Sequence, residues 1–217
     1  FKLTETSDED DQYGELKKYS KYLAFSARTV QRKRAAACFN NGFSSQLTAD
    51  AVALFSTAHT LKRGGTAKNR PSSDADLSID SLMQAFIDLN TDLKMESGQI
   101  MDPPTDYYLY VAPANEFVAH QLIKSVGLPG SAENDINPVK ASRSIEVVVD
   151  PHLSDADAWF LVPKSKERHG LVFLDRIGIT MGRPMDDADT GSRVYKLRFR
   201  QTWDSIWWQG SYGTQGA

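Results

Sequence analysis

The segment SIEVVVDPHLSDADAWFLVP (residues 144–163) decides the fold, because it places two apolar runs on either side of a polar stretch. Short runs rich in Val, Ile, Phe and Trp are typical of β-strands, whereas Asp and Ser are common in turns. The segment therefore predicts two buried strands, at 144–150 and 158–163, joined by a polar turn.

The acidic residues of this turn raise the question of a metal site; they are accompanied by one histidine, and the four residues are Asp150, His152, Asp155 and Asp157. A calcium loop of the EF-hand type needs a central glycine and a glutamate at its twelfth position, which is Leu161 when counted from Asp150. A zinc site needs two or more His or Cys ligands, and the next histidine, His169, lies beyond the following strand. We therefore predict a turn and no metal site.

A second acidic segment, MDDADTGS (185–192), has a similar composition. Its residues favour a solvent-exposed hairpin loop, because Asp, Thr, Gly and Ser are turn formers. A weak structural cation bound by this loop remains an open alternative.

The other elements follow from the period of the apolar residues. Residues 43–76 are predicted to be loop with one short strand around 51–56. The next helix is predicted to have Ser78 as its N-cap and to end at Ser97–Gly98. The remaining predicted elements are helices at 12–41 and 114–125 and strands at 107–113, 170–177 and 192–203. The apolar face of the first helix is predicted to consist of Leu16, Leu23, Val30 and Ala37, with Tyr13, Tyr19 or Ser20, and Ala27 filling the same face. Helices and strands are interspersed without a regular βαβ rhythm, which indicates the α+β class.

The composition is typical of a globular protein. The residues are 41% hydrophobic and 24% charged, and the net charge is -3. A length of 217 residues is sufficient for one large domain or two small ones. No run of 18 apolar residues is present, so we expect no membrane span and no membrane partner. The first eleven residues, FKLTETSDEDD, do not have the layout of a signal peptide, and we expect the chain to be part of a longer one.

No catalytic motif or cofactor motif emerges from the sequence. The four histidines show no HExxH pairing, and neither a phosphate loop nor a Rossmann fingerprint is present. The single cysteine, Cys38, lies beside three alanines in the first long helix and is interpreted as a small core residue. We therefore predict no catalytic residue and no cofactor, and an enzyme with an unrecognised site is the weakest alternative.

The first long helix carries the one concentrated positive charge of the chain. Its basic residues are Lys17, Lys18, Lys21, Arg28, Arg32, Lys33 and Arg34. Such a row is either a solvated helix face or a surface that faces a polyanion or the acidic residues of a neighbouring subunit.

The order of several motifs resembles that of a known family. The motifs are, in order, the long helix, STAHTLKRGGTAKN, DADLSIDSL, a strand ending in VAP, ENDINP, VVVDPHLSDADAWFLV, GLVFLDR and WQGSYGTQGA. Together they resemble the major capsid proteins of tailed bacteriophages, in particular the Mu-type major head subunit group. The resemblance runs over nearly the whole chain.

The resemblance implies a phage major capsid shell fold of the α+β class. It consists of a peripheral domain, with a long spine helix and a long antiparallel sheet, and an axial domain. The implied layout is the end of an extended loop, the spine helix and the first peripheral part at 1–74, the axial domain at 75–165, returning peripheral strands at 166–203, and a C-terminal tail at 204–217 that rejoins the axial domain. Only FKLTET remains of the N-terminal arm and extended loop that begin such proteins.

The resemblance also implies a function: a non-enzymatic subunit of an icosahedral head that assembles through pentamers and hexamers around double-stranded DNA. Expected partners are other copies of the chain, a scaffolding protein, a portal, and DNA bound without sequence specificity. The expected location is the virion capsid, assembled in the cytoplasm of the bacterial host. The alternative within the same fold is an encapsulin-like shell of a bacterial nanocompartment.

Two sets of residues are the candidate sites under this interpretation. The candidate subunit-interface residues are Glu133, Asn134, Asp135, Asn137, Trp207, Trp208 and Tyr212, with core packing as the alternative for the two tryptophans. The candidate inward basic face consists of Lys17, Lys21, Arg28 and Arg32.

Overall fold

The computed structural model describes residues 1–127 and 135–217, apart from the side chains of Asp8 and Lys17. The helices within these ranges are α1 (Glu5–Glu9), α2 (Glu15–Asn40), α3 (Ile79–Asp92), α4 (Glu116–Lys124) and α5 (Pro138–Ser142). The strands are β1 (Lys2–Leu3), β2 (His59–Thr60), β3 (Thr66–Ala67), β4 (Asp106–Val111), β5 (Ser144–Val149), β6 (Trp159–Pro163), β7 (Leu171–Met181), β8 (Met185–Asp186), β9 (Arg193–Val194), β10 (Leu197–Ser205) and β11 (Tyr212–Thr214). The mixture of helices and strands confirms the predicted α+β class.

The chain forms two compact units. The first unit contains Phe1–Ala35 and Phe173–Trp203, and the second contains Ala36–Val172 and Asp204–Ala217. This division differs from the predicted layout for residues 36–74, which join the second unit and not the spine-helix part. The assignment of the two units as peripheral and axial domains stays a prediction.

The first unit combines most of α2 with two small sheets. One sheet has the order β1–β9–β8, and the other consists of β10 and β7. Asp11 caps the start of α2, because its two carboxylate oxygens accept hydrogen bonds from the backbone N–H groups of Glu15 and Leu16, both at 3.0 Å. Asp11 is the last of four consecutive acidic residues at 8–11, whose negative charge also suits the positive end of the helix dipole.

The second unit is built around a sheet of order β11–β6–β4–β5. Strand β4 pairs antiparallel with β6 and parallel with β5, so the two strands of the opening segment lie on opposite sides of β4. Strand β6 is buried along its whole length, as predicted. Strand β5 lies at the edge of the sheet and is half-exposed, which corrects the prediction that both strands are buried.

The apolar character of β6 follows from its burial on both faces. Trp159 and Leu161 pack into one core with residues of α3 and α4, whereas Phe160 and Val162 pack into a second core. The second core contains Phe39, Leu54, Phe55, Leu61 and Trp208.

Several predicted elements differ from the structure, and the strand predicted at 170–177 extends to Met181. Helix α3 begins after the predicted N-cap Ser78 but ends at Asp92, because Leu93 has an extended backbone with ψ of 91°. Gly98, with φ of +83°, belongs to a separate turn between the bridged residues Lys94 and Ile100. The strand expected at 51–56 is replaced by a single bridge from Leu47 to Ala53, and the predicted strand 192–203 divides into β9 and β10.

The apolar face predicted for α2 is also only partly correct. Leu16 and Leu23 are half-buried and Ala27 is buried, as predicted, but Val30 is 36% exposed, and Tyr13 and Tyr19 are 85% and 46% exposed. A straight helix of 3.6 residues per turn drifts by about 20° per heptad from a seven-residue repeat. Over a helix of 26 residues, side chains spaced seven residues apart therefore turn gradually away from the buried side of the helix.

Candidate functional site

The acidic residues of the segment 150–157 form hydrogen bonds within a turn. The Asp150 carboxylate accepts a hydrogen bond from the backbone N–H of His152 at 2.9 Å, and Asp155 accepts one from Asp157 at 3.1 Å. Asn40 joins the turn, since its side chain donates to His152 O and accepts from Ser154 N, both at 3.0 Å. The turn interpretation is confirmed, because the carboxylates satisfy nearby backbone donors. Among the described residues, no group of three or more His, Cys, Asp or Glu is arranged to hold a metal ion.

The second acidic segment is the hairpin loop that joins β8 to β9, as predicted. Asp187 accepts hydrogen bonds from Lys2 Nζ at 2.8 Å and from Thr190 Oγ1 at 2.9 Å. These bonds hold the pKa of Asp187 below its ordinary value. The loop thus ties β1 to β8 and β9.

The C-terminal tail is fixed by a buried polar cluster around Asp88. Tyr212 donates its hydroxyl to Asp88 Oδ2 at 3.0 Å, and Asp88 Oδ1 accepts from Lys68 Nζ at 3.2 Å and from Gln84 Nε2 at 3.0 Å. Burial, together with the negative charge of Asp88, raises the pKa of Tyr212 far above its ordinary value. The hydroxyl therefore remains protonated as a donor, and β11 is held against α3.

A second carboxylate, that of Asp74, holds the end of the same tail. It accepts hydrogen bonds from Arg70 Nε and Thr214 Oγ1, both at 3.0 Å, and from the backbone N–H of Gln215 at 3.4 Å. Partial burial alone would raise the pKa of Asp74, but the bonds from Arg70 and Thr214 and the charge of Arg70 outweigh it and hold the pKa below its ordinary value.

We expect acid to weaken this attachment. Because the pKa of Asp74 is lower in the folded state, its stabilisation is complete above the ordinary value of 3.8 and is lost as the pH falls through the folded-state value. Asp74→Asn is expected to cost about 1–3 kcal/mol of unfolding free energy at pH 7, with a smaller difference from wild type below pH 4. Urea denaturation of both proteins between pH 3 and pH 7 measures this. A cost that stays constant over that range would contradict the assignment.

A buried cluster that sequence reasoning missed surrounds His59. The ring is fully buried and stacks on Trp208 with centroids 4.4 Å apart. Its Nδ1 lies 2.8 Å from Asp50 Oδ2, and its Nε2 lies 3.1 Å from Asn69 Oδ1. Asn69 also donates to the carbonyls of Leu54 and Trp208 at 2.7 and 3.3 Å. His59 and Asn69 lie within the motif STAHTLKRGGTAKN, which contributes to the family resemblance, but no spacing in the sequence connects them to each other, to Asp50 or to Trp208.

The candidate interface residues fall into three groups. Glu133 and Asn134 lie outside the described residues. Asn137, Trp208 and Tyr212 are each 1% exposed, so their side chains pack inside the subunit. Asp135 is exposed and Trp207 is 39% exposed. The interface prediction is therefore limited to these last two among the described candidates.

Asn137 has a local structural role. Its Oδ1 accepts hydrogen bonds from Val139 N at 3.1 Å and Lys140 N at 3.3 Å and so caps α5. Its Nδ2 donates to Leu122 O at 2.6 Å at the end of α4. These bonds explain its burial.

The candidate basic face lies on a largely exposed part of α2. Lys21, Arg28 and Arg32 are exposed, whereas the side chain of Lys17 lies outside the described residues. The same part of the helix exposes three aromatic side chains, which are Tyr19 (46%), Tyr22 (56%) and Phe25 (62%), and Tyr13, two residues before the helix, is 85% exposed. An exposed cluster of large apolar side chains is typical of a surface that contacts another protein.

Cys38 has the properties of a core residue. Burial, with a smaller effect of the charge on Asp204, raises the pKa of its thiol to about 11. The thiol is therefore protonated at neutral pH and a poor nucleophile.

Among the described residues, no helix is long and apolar enough to span a membrane.

Comparison with known proteins gives one family. The model of the phage capsid protein family matches residues 1–212. A search of curated proteins gave no match. Among solved structures, the capsid of Myoviridae phage XM1 is similar with a TM-score of 0.57 and 14% identity, over 100% of this chain and 71% of that chain.

Two further structures score lower. A phage-related protein from Bordetella bronchiseptica is 17% identical with a TM-score of 0.46, over 88% of this chain and 65% of that chain. A chain from Mycobacterium phage Che8 is 14% identical with a TM-score of 0.41, over 67% and 52%. The likeness to the XM1 capsid therefore shows the fold, and the two lower scores add nothing to it.

Proposed function

Since the chain belongs to the phage capsid protein family, we propose that it is the shell subunit of an icosahedral bacteriophage head. It assembles with copies of itself through pentamers and hexamers and encloses double-stranded DNA, with a scaffolding protein and a portal as partners during assembly. The shell forms in the cytoplasm of the bacterial host and becomes the capsid of the virion. The match of the family model to residues 1–212 carries this proposal.

The surface of the first unit supports assembly with other copies. Tyr22 and Phe25, one helical turn apart on α2, are 56% and 62% exposed in the isolated chain. Burial of one such ring stabilises a contact by about 1.5–3 kcal/mol. In a shell, symmetry repeats each contact many times, so a modest gain per copy suffices to drive closure. We propose that Tyr22 and Phe25 lie in a contact between subunits, and that Trp207 and Asp135 lie in others.

We expect the double substitution Tyr22→Ser and Phe25→Ser to reduce shell formation at least tenfold at a concentration where the wild type assembles. Loss of two aromatic rings from a contact removes more than the 1.4 kcal/mol that corresponds to a factor of ten. The measurement is the fraction of protein in closed particles, from light scattering and electron microscopy of the full-length gene product.

The matched control is Lys33→Ser, which introduces serine at another exposed position of α2 without removing an aromatic ring. It is expected to assemble like the wild type. Equal loss in both variants would mean that the helix itself, and not its aromatic surface, is required. A wild-type protein that stays monomeric at every salt and protein concentration would contradict self-assembly, and closed shells filled with a protein cargo would favour a nanocompartment.

A further inference from the structure

The two faces of the ribbon formed by β7 and β10 differ in chemistry. Gly182 N donates to Lys196 O at 2.9 Å, and Ile206 N donates to Gly170 O at 2.8 Å, so the two strands run antiparallel. In a strand, successive side chains point to opposite faces. The burial of β10 follows this rule, with alternate residues half-buried and exposed.

One face of the ribbon is occupied by contacts within the first unit. Phe173 packs on Trp203 with ring centroids 4.9 Å apart. Gln201 accepts a hydrogen bond from Gln31 of α2, and the Arg34 guanidinium lies 5.8 Å from the centre of the Phe199 ring. This face is therefore directed toward α2.

The opposite face is exposed and positively charged. Arg198 and Arg200 occupy the exposed positions of β10, and Arg176 is exposed on β7. Within residues 1–127 and 135–217, none of these three side chains has a carboxylate or other hydrogen-bond partner. The other ribbon positions on this face are Val172, Leu174, Gly178, Thr180, Thr202 and Asp204. The one acidic residue, Asp204, stands near the end of β10, four residues beyond Arg200, and its carboxylate accepts hydrogen bonds from Gln46 Nε2 at 2.7 Å and from the backbone N–H of Ser205 at 2.8 Å. We call Arg176, Arg198 and Arg200 the arginine face.

Charge is distributed unevenly along the chain. The first unit has 14 Lys and Arg against 10 Asp and Glu, a net charge of +4, whereas the second has 11 against 18, a net charge of -7. Within the first unit, the acidic residues lie mainly near the N-terminus and in the β8–β9 loop. Residues 16–35, 173–183 and 193–203 together contain 13 basic residues and a single acidic one, Asp175. The arginine face therefore lies in the most positive part of the protein, although the whole chain is acidic.

We propose that the arginine face binds the phosphates of double-stranded DNA without sequence specificity. This proposal rests on the proposed function and adds that the exposed face of the ribbon lies on the inside of the shell. Guanidinium groups bind phosphate in a bidentate manner. Arg198 and Arg200 lie two residues apart on one strand face, about 6.6–6.8 Å, so each can reach its own phosphate.

The shape of the ribbon agrees with a duplex as the partner. A two-stranded antiparallel ribbon has a width that fits a groove of B-DNA. The small residues Gly178, Thr180 and Thr202 leave the surface between the arginines flat, so the DNA backbone can approach it. No Asn or Gln stands on this face, and contacts to phosphate carry no sequence information.

The test is the affinity of the unassembled subunit for a 30-base-pair duplex of mixed sequence, measured by fluorescence anisotropy between 50 and 200 mM salt. The variant is Arg176→Gln, Arg198→Gln and Arg200→Gln combined. Each phosphate contact adds about 0.9 to the slope of log affinity against log salt, so the slope is expected to fall by about 2.7. At 50 mM salt the affinity is expected to fall more than tenfold.

The matched control removes three exposed positive charges from the second unit, Lys62→Gln, Arg63→Gln and Lys166→Gln, and is expected to keep the wild-type slope. An equal loss in both variants, or an unchanged slope in the arginine variant, overturns the proposal.

Electron microscopy of each variant keeps the two proposals separate. If the arginine variant loses shell formation but keeps DNA binding, the face contacts an acidic surface of another copy, and the DNA proposal fails. If the wild type binds DNA through these arginines yet never forms shells, the proposed function fails instead.

Discussion

We expect Trp208→Ala to lower the free energy of unfolding of the subunit by about 3–5 kcal/mol, the range found for removal of a buried tryptophan. Trp208 is 1% exposed and belongs to the core on one face of the four-stranded sheet. Its ring also stacks on the buried ring of His59 at 4.4 Å. The substitution therefore creates a cavity and leaves His59 without its stacking partner. Urea denaturation of the monomeric subunit measures the loss.

The neighbouring tryptophan provides the control. Trp207 is 39% exposed, and Trp207→Ala is expected to cost about 1 kcal/mol or less. If Trp207 lies at a subunit contact, as proposed, its substitution weakens shell formation more than it weakens the fold. Similar losses of stability in the two variants would show that the tail does not divide into a core residue and a surface residue.

Local patterns were sufficient to predict most elements of the fold. Ser78 was predicted as an N-cap, and the structure confirms it, since Ser78 and Ser81 form a capping box. The continuous apolar run at 158–163 predicts a buried strand, and β6 is buried along its whole length. Such signals depend only on residues close in sequence, because helix caps and strand burial are set by the local chain and its average environment. The family resemblance, which depends on the order of these motifs, is confirmed by the family match.

Contacts between distant residues were not predictable in this way. Tyr212 and Asp88 are 124 residues apart, and no spacing rule connects a tail tyrosine to an aspartate in the middle of a helix. The same is true of Trp208 and Asn69, which are 139 residues apart. The sequence therefore leaves open whether the aromatic residues of the tail pack in a core or at an interface. In the structure, Trp208 and Tyr212 are buried and only Trp207 is exposed. The arginine face was missed for a related reason, because its residues come from two strands and appear together only when the strands pair.

In a sequence, a glycine indicates a helix end or a turn, but Gly170 has a different role. Gly170 precedes β7 at the end of the ribbon, where its carbonyl accepts a hydrogen bond from Ile206 N at 2.8 Å. A Cβ at this position would lie 2.0 Å from Trp207 O and 2.5 Å from Trp207 N. These are backbone atoms, so no change of rotamer can relieve the overlap. The backbone at Trp207 can stay beside residue 170 only if that residue has no side chain.

We expect Gly170→Ala to destabilise the subunit by at least about 3 kcal/mol, at the upper end of the range for overpacking, because a backbone segment and not a side chain must move. The displaced segment includes Trp207 and leads directly to the buried Trp208, so the core on that side of the sheet is disturbed as well. Gly178→Ala, farther along β7, is the matched control, since the nearest atom to its Cβ would be Asp175 Oδ2 at 3.7 Å. It is expected to change stability by about 1 kcal/mol or less. Urea denaturation of both variants measures the difference. A Gly170→Ala protein as stable as the control would mean that the backbone of Trp207 does not lie against residue 170 in solution, and it would also remove the structural basis for the buried position of Trp208.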